Sequence, residues 1–352
     1  MVVLNHLQFY QSKTFPVQSL LPAWMNCGES GVDVFFIISG FIMTYSTPRP
    51  FTTWRDQLSF LIRRFLRIYP AYWAVLLPIL VLWWFHPAYF NTSQGNRVDF
   101  PSSLFLLPSF TITILGVAWT LIFEIYFYCV VSFIFYCGTA GRLFWAGAWA
   151  AAVVIRNIVH PQWFDLACWT TWLSPLTLEF IVGIYLAYAL RSAQLRLPTV
   201  VGTALILASA LWAWHFGALH GRFTGGGDQL PRLYIYGLPA MVVVWVVLKL
   251  ETQHELKGAR NLVWLGDRSY STYLIHLPVL TTVLYLAAKW LKDPSPYTVM
   301  AVTFAAMLLI IIPMEICYRF VEKPSHLLAK RLANKVRGRK EHRSAFRDKV
   351  LS

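Results

Sequence analysis

Long apolar stretches dominate this sequence, and they leave such a chain few ways to fold. Residues 31–46, 68–85, 119–137, 143–159, 173–190, 199–216, 233–250, 270–290 and 297–318 are each mainly apolar. About 20 such residues in a helix cross a bilayer. Residues 1–9 form a further apolar stretch about half that long. In lipid every backbone N–H and C=O needs an internal partner, which helices supply. The expected fold is an all-α integral membrane protein, a polytopic bundle of about ten transmembrane helices with a truncated first helix. Composition agrees: 57% of residues are hydrophobic and 13% charged, against roughly 25% charged in soluble chains. That leaves too little polar surface for a water-soluble particle. Met1 leads directly into an apolar stretch with no basic segment, so no cleavable leader is expected.

The net charge of +14 is uneven, concentrated in residues 49–67 and after Glu322. Basic residues flanking apolar stretches mark the cytoplasmic side rather than a nucleic-acid face. Alternating spans then place Arg142, Arg191, Arg196, Lys257, Arg260 and Arg268 inside, and Arg97, Arg222, Arg232 and Lys292 outside. Both termini are expected in the cytoplasm. Residues 1–326 form the membrane domain and residues 327–352 a basic cytoplasmic tail, with anionic headgroups as its second use. The long outer segment 87–118 is partly apolar and is expected to re-enter the bundle or lie at the interface. The glycine run 225–227 reads as a flexible outer loop, since no helix-opening Lys motif follows it. Cys27, Cys129, Cys137, Cys168 and Cys317 lack any CxxC spacing and point to neither a metal site nor a disulfide framework.

Ionisable side chains inside spans are costly and mark function or a specific partner. Four are weighed: His6, Asp33, Glu124 and His276. Asp33 opens a span, so complementing the helix dipole is as good an account of it as function. Glu124 shares a helix face with Thr120 and Tyr128. Two histidines and a carboxylate together suit proton transfer. Arg63, Arg64 and Arg67 share a helix face, either as topology signals or as a phosphate clamp; composition favours the former. Beside an enzyme, a transporter or flippase and an inactive membrane scaffold also fit these features.

Several motifs resemble the acyltransferase-3 membrane O-acyltransferases, which include bacterial acetylases of exopolysaccharide and O-antigen. The run Gly31-Val32-Asp33-Val34-Phe35-Phe36-Ile37-Ile38-Ser39-Gly40-Phe41 is similar to the family signature. Val2-Val3-Leu4-Asn5-His6 resembles the end of the first-helix motif, whose His is the family's presumed catalytic residue. Arg63-Arg64-Phe65-Leu66-Arg67-Ile68-Tyr69-Pro70-Ala71-Tyr72 resembles the basic motif, and Trp119-Thr120-Leu121-Ile122-Phe123-Glu124 the Trp-Ser/Thr-Leu-x-x-Glu segment. Phe180-Ile181-Val182-Gly183, Ser269-Tyr270-Ser271-Thr272-Tyr273-Leu274-Ile275-His276 and Glu322-Lys323-Pro324 resemble three later motifs. The family places an Arg well upstream of the first His, whereas five residues precede His6 here.

The resemblance implies transfer of an acyl group, acetyl foremost, from cytoplasmic acyl-CoA to a hydroxyl of a cell-envelope or exported polysaccharide. It implies a multi-pass protein of the bacterial inner membrane that binds no resident cofactor or metal. Its partners are acyl-CoA, a carbohydrate acceptor that is either free or lipid-linked, and membrane lipids. His6 is expected to act as the base, with Glu124 orienting it from near the outer end of its span. Asp33, Arg63, Arg64, Arg67, Tyr72, Tyr273 and His276 are expected to bind substrate or donor.

Overall fold

The computed structural model describes residues 1–16, 21–91, 94–159, 166–192, 196–220, 230–253 and 260–338. They form α1 (Val2–Thr14), α2 (Ser30–Tyr45, led by the 3-10 turn Ala23–Glu29), α3 (Trp54–Phe85), α4 (Phe100–Phe105), α5 (Trp119–Ile134), α6 (Thr139–Val159), α7 (Ala167–Trp172) and α8 (Leu176–Ser192). Next come α9 (Thr199–His220), α10 (Leu230–Arg232), α11 (Leu238–Thr252), α12 (Arg260–Asp267), α13 (Ser269–Trp290), α14 (Pro296–Cys317) and α15 (Lys323–Val336). Single π turns, Leu233–Gly237 and Tyr318–Glu322, join α10 to α11 and α14 to α15.

No strand occurs among the described residues, and 8 helices are long and apolar enough to cross a membrane. The difference from about ten lies in α1, of 13 residues, and α8, of 17. Apolar side chains such as Leu77, Val81 and Trp84 on α3 and Phe304, Leu308 and Ile312 on α14 face outward. In water such a surface would aggregate; lipid is its natural solvent.

Three features position the interior. First, α3 begins well before the apolar stretch at residue 68. A capping box between Thr53 and Asp56 starts it, and the basic residues 54–67 continue into the span as one helix of 32 residues. Each added residue then contributes a helical hydrogen bond, so charge does not interrupt the helix. The first half of α3 is thus part of the bundle, not a loop.

Second, α2 and α8 cross at backbone contact. A Cβ on Gly40 would lie 2.0 Å from the Phe180 carbonyl oxygen, and one on Gly183 would lie 2.1 Å from that of Ile37. Small residues permit this approach in membranes, where close packing drives helix association.

Third, segment 87–118 re-enters the bundle, as expected. Its Leu106, Ile114, Leu115, Val117 and Ala118 are buried. Tyr69 donates its hydroxyl to the Phe105 carbonyl (2.8 Å), Tyr72 to that of Ser103, and Trp73 Nε1 to that of Leu104 (2.9 Å). Such donors are what irregular backbone needs at membrane depth. Asp99 caps α4; hydroxyls of Ser102 and Ser109 and the Ser102 amide hold its carboxyl below the usual carboxylate range.

Residues 323–336 of the C-terminal segment form α15, which packs along α3 through buried Ala329 and Ala333. Arg222, Lys257, the glycine run 225–227 and the last residues of the tail, 339–352, lie outside the described residues.

Candidate active site

Helix α1 lies against α13, pinned by Asn5 Nδ2 donating to the Asn26 carbonyl (3.1 Å) and Gln11 Nε2 to Thr303 Oγ1 (2.7 Å). This alignment brings together the two histidines that the sequence separates by 270 positions. His6 Nδ1 and His276 Nε2 are 2.8 Å apart, with the rings stacked at 11° and centroids 5.1 Å apart. His276 is fully buried, and its Nδ1 lies 3.1 Å from the Thr272 carbonyl oxygen. A carbonyl only accepts, so Nδ1 of His276 carries the proton, and in the neutral ring Nε2 is the acceptor. The hydrogen on the shared bond therefore belongs to His6 Nδ1. That leaves His6 Nε2 as the unprotonated nitrogen, on a ring that is partly exposed. The pair fixes the tautomer a base requires.

Tyr273, one turn before His276, donates its hydroxyl to the Val117 carbonyl (2.7 Å) and meets Thr120 Oγ1 at 2.6 Å. It clamps α13 to the junction of the re-entrant segment and α5. Tyr72 likewise holds that segment through Ser103.

Glu124, one turn further along α5, accepts from the Tyr128 hydroxyl and from Ser39 Oγ (3.3 Å). The hydrogen-bond partner of His6 Nδ1 is His276. Residues 100–118 fold into the bundle ahead of α5, and Glu124 lies within electrostatic reach of Arg67 and Arg64.

Those arginines line a cavity of about 480 Å³ between the turn after α2, the first half of α3, and α15. Arg49, Arg63, Arg64, Arg67, Lys330 and Arg337 all border it, and no acidic residue does. Arg63 donates to Asn334 Oδ1 (2.9 Å), Arg64 to Ser46 Oγ (3.1 Å), and Arg337 pairs with Asp56 at 3.1 Å. Arg67 lines the cavity without a hydrogen bond or close ion pair to any described residue, within electrostatic reach of Glu124 and Glu322. Its neighbour Ile68 accepts from Tyr270, and His276 stands six residues further along α13. The histidine pair is therefore about 9 Å along that helix from the inner end of the cavity. Buried Arg142 shapes one wall by donating to the carbonyls of Thr47 (2.6 Å) and Arg49 (2.9 Å).

Asp33 occupies a different junction. It is fully buried and takes a bidentate pair from Arg232, at 3.1 and 2.7 Å, while Arg232 also donates to the Glu29 carbonyl at 3.1 Å. Glu179, 3% exposed, adds a second acid facing Asp33 and Arg232. Gly237 makes room for it, since a Cβ there would lie 2.9 Å from Glu179 Oε1. Arg232, expected in an outer connection, is instead buried. Its position at the edge of a span makes it read as a loop charge. Glu179 is missed although it lies inside the stretch 173–190, where the rule used for Glu124 applies equally. Among the described residues no three His, Cys, Asp or Glu side chains group to hold a metal ion.

The family profile described as "Acyltransferase domain" matches residues 1–315. The exopolysaccharide production protein ExoZ of Rhizobium meliloti is 32% identical over 271 residues, covering 73% of this chain and 78% of that protein. The acyltransferase MdmB of Streptomyces mycarofaciens is 30% identical over 291 residues, covering 72% and 68%. The peptidoglycan O-acetyltransferase OatA of Listeria monocytogenes is 24% identical, covering 86% of this chain and 52% of its own. No solved structure matches. With that profile spanning most of an all-helical, lipid-facing chain, the protein belongs to the acyltransferase-3 family and is a membrane-bound O-acyltransferase.

Proposed function

We propose that this protein moves an acyl group, acetyl foremost, from acyl-CoA to a hydroxyl of a cell-envelope or exported polysaccharide. The observation that carries the reading is the His6–His276 pair, which leaves His6 Nε2 as a base. In this reading the end bearing residues 49–67 faces the cytoplasm of a bacterium, and the protein sits in its inner membrane with both termini inside. The phosphates of acyl-CoA enter the cationic cavity, where guanidinium forks match phosphate oxygens. The flexible thioester arm reaches toward the histidine pair, so the nucleotide itself stays at the cation-rich end.

The step balances as follows. His6 Nε2 takes the proton of the acceptor hydroxyl while that oxygen bonds to the thioester carbonyl carbon. The C–S bond breaks, and the imidazolium returns its proton to the departing CoA thiolate. The products are a sugar ester and CoA thiol. His276 is a positioning residue that shares the charge His6 gains. General-base catalysis contributes about 10²–10⁴-fold, so His6→Ala should lose at least about 100-fold of transfer. Two of the relatives are named for exopolysaccharide production and for peptidoglycan O-acetyl transfer, which supports a glycan acceptor.

The test is complementation of cells lacking the gene, with envelope and exported glycans scored for ester-linked acyl groups by mass spectrometry. Esters made with the wild type and absent with His6→Ala are expected. Wild-type ester levels in the His6→Ala strain would overturn the assignment of the base. No esters in any strain would overturn the acceptor class.

A further inference from the structure

The cationic cavity has a wall built from residues beyond the stretch that the family profile matches. The matching profile ends at residue 315, whereas His326, Ala329, Lys330 and Arg337 all line the cavity from α15 or just beyond it. The small residues Ala329 and Ala333 let α15 lie directly on α3, so these side chains face Arg63, Arg64 and Arg67 across the space. Three of the six cations are tethered: Arg63 to Asn334, Arg64 to Ser46, Arg337 to Asp56. Arg67 and Lys330 make no hydrogen bond or close ion pair to a described residue. They also occupy opposite places. Arg67 is at the inner end, beside Glu124 and on the way to the histidine pair, while Lys330 is exposed on α15. Two such cations on separate elements fit a ligand with anionic groups at two separate positions, not one compact phosphate.

We propose that α15 is a specificity element of the donor site, in which Lys330 binds the ribose 3′-phosphate of acyl-CoA while Arg67 binds its diphosphate. This rests on the acyl-CoA reading above. The chemistry is specific to that donor: the diphosphate joins the acyl-bearing arm, and the 3′-phosphate stands apart on the far side of the ribose. A cavity of about 480 Å³ is within the range of small-ligand sites and large enough for the nucleotide end. An anionic lipid headgroup offers the same phosphate chemistry, and the experiment separates the two.

Binding of CoA and of 3′-dephospho-CoA would be measured calorimetrically on the full chain in zwitterionic nanodiscs. Wild type should prefer CoA by about tenfold or more, the strength of a charge-assisted contact. Lys330→Gln should bind both ligands alike, at the wild-type affinity for 3′-dephospho-CoA. Lys330→Arg should keep the preference, and Lys335→Gln, on the same helix but not lining the cavity, should match wild type. Repeating the titration with phosphatidylglycerol in the discs should leave the preference unchanged. A Lys330→Gln protein that keeps the preference, or a wild type without one, overturns the role of α15 while glycan esters still support the donor reading. Displacement of CoA by phosphatidylglycerol makes Lys330 a headgroup contact and also overturns it. Absence of CoA binding with glycan esters still formed overturns both this inference and the acyl-CoA donor.

Discussion

Two arginine sites in this bundle are put together in opposite ways. At the junction of α2, α8 and the π turn before α11, the fork of Arg232 is taken up by Asp33 and the Glu29 carbonyl. At the cavity between α3 and α15, cations outnumber acids and the fork of Arg67 faces open volume. A charge whose donors are spent holds structure together, and one whose donors are unspent is available to a ligand. Both arginines were visible in the sequence as basic residues beside apolar stretches, and nothing in their local sequence tells them apart.

The largest effect expected from breaking this contrast is at Asp33. Asp33→Ala removes the bidentate partner of buried Arg232 and should cost up to about 3–5 kcal/mol, read as a lowered thermal midpoint in detergent. Whatever protein remains folded should bind CoA normally. An unchanged midpoint would remove the junction's structural role. Gly40→Ala comes next. It forces apart backbones in contact, at about 1–3 kcal/mol or more, and the same unfolding measurement should register it without a change in CoA affinity.

Arg67→Gln should invert the pattern. CoA affinity should fall about 10- to 100-fold, the worth of hydrogen bonds to a charged group, while the thermal midpoint holds because Arg67 makes no hydrogen bond or close ion pair to a described residue. A fall in midpoint with unaltered affinity would place Arg67 in the structural class. The smallest effect belongs to Asp99, outside both sites. Its lowered carboxyl pKa, set first by the Ser102 hydroxyl, means its contribution is complete above the unfolded value of about 3.9. That contribution is lost as pH falls through the depressed folded value. Asp99→Ala should cost about 0.5–2 kcal/mol near neutral pH, and the cost should shrink as the pH is lowered into that range.

Much of the site was legible one residue at a time. His6, Glu124 and His276 stand out because an ionisable group in lipid is expensive and needs a reason. Their pairing was not legible, because it depends on how α1 lies against α13. The sequence pointed to a carboxylate beside His6, and the structure supplies a second imidazole there while Tyr128 and Ser39 hold Glu124. Arg232 and Glu179 were passed over because each is informative only once its partner is known.

The sequence by itself determined an all-helical membrane bundle, since span-length apolar stretches in lipid have no other way to satisfy their backbone. It also determined the family, because several short motifs keep their order along the chain. The tertiary structure alone decided which charges are spent and which face a ligand, the tautomer of the histidine pair, and the place of α15 in the cavity wall. Each of these depends on contacts between residues far apart in the chain, set by how helices pack, and no local pattern encodes that packing.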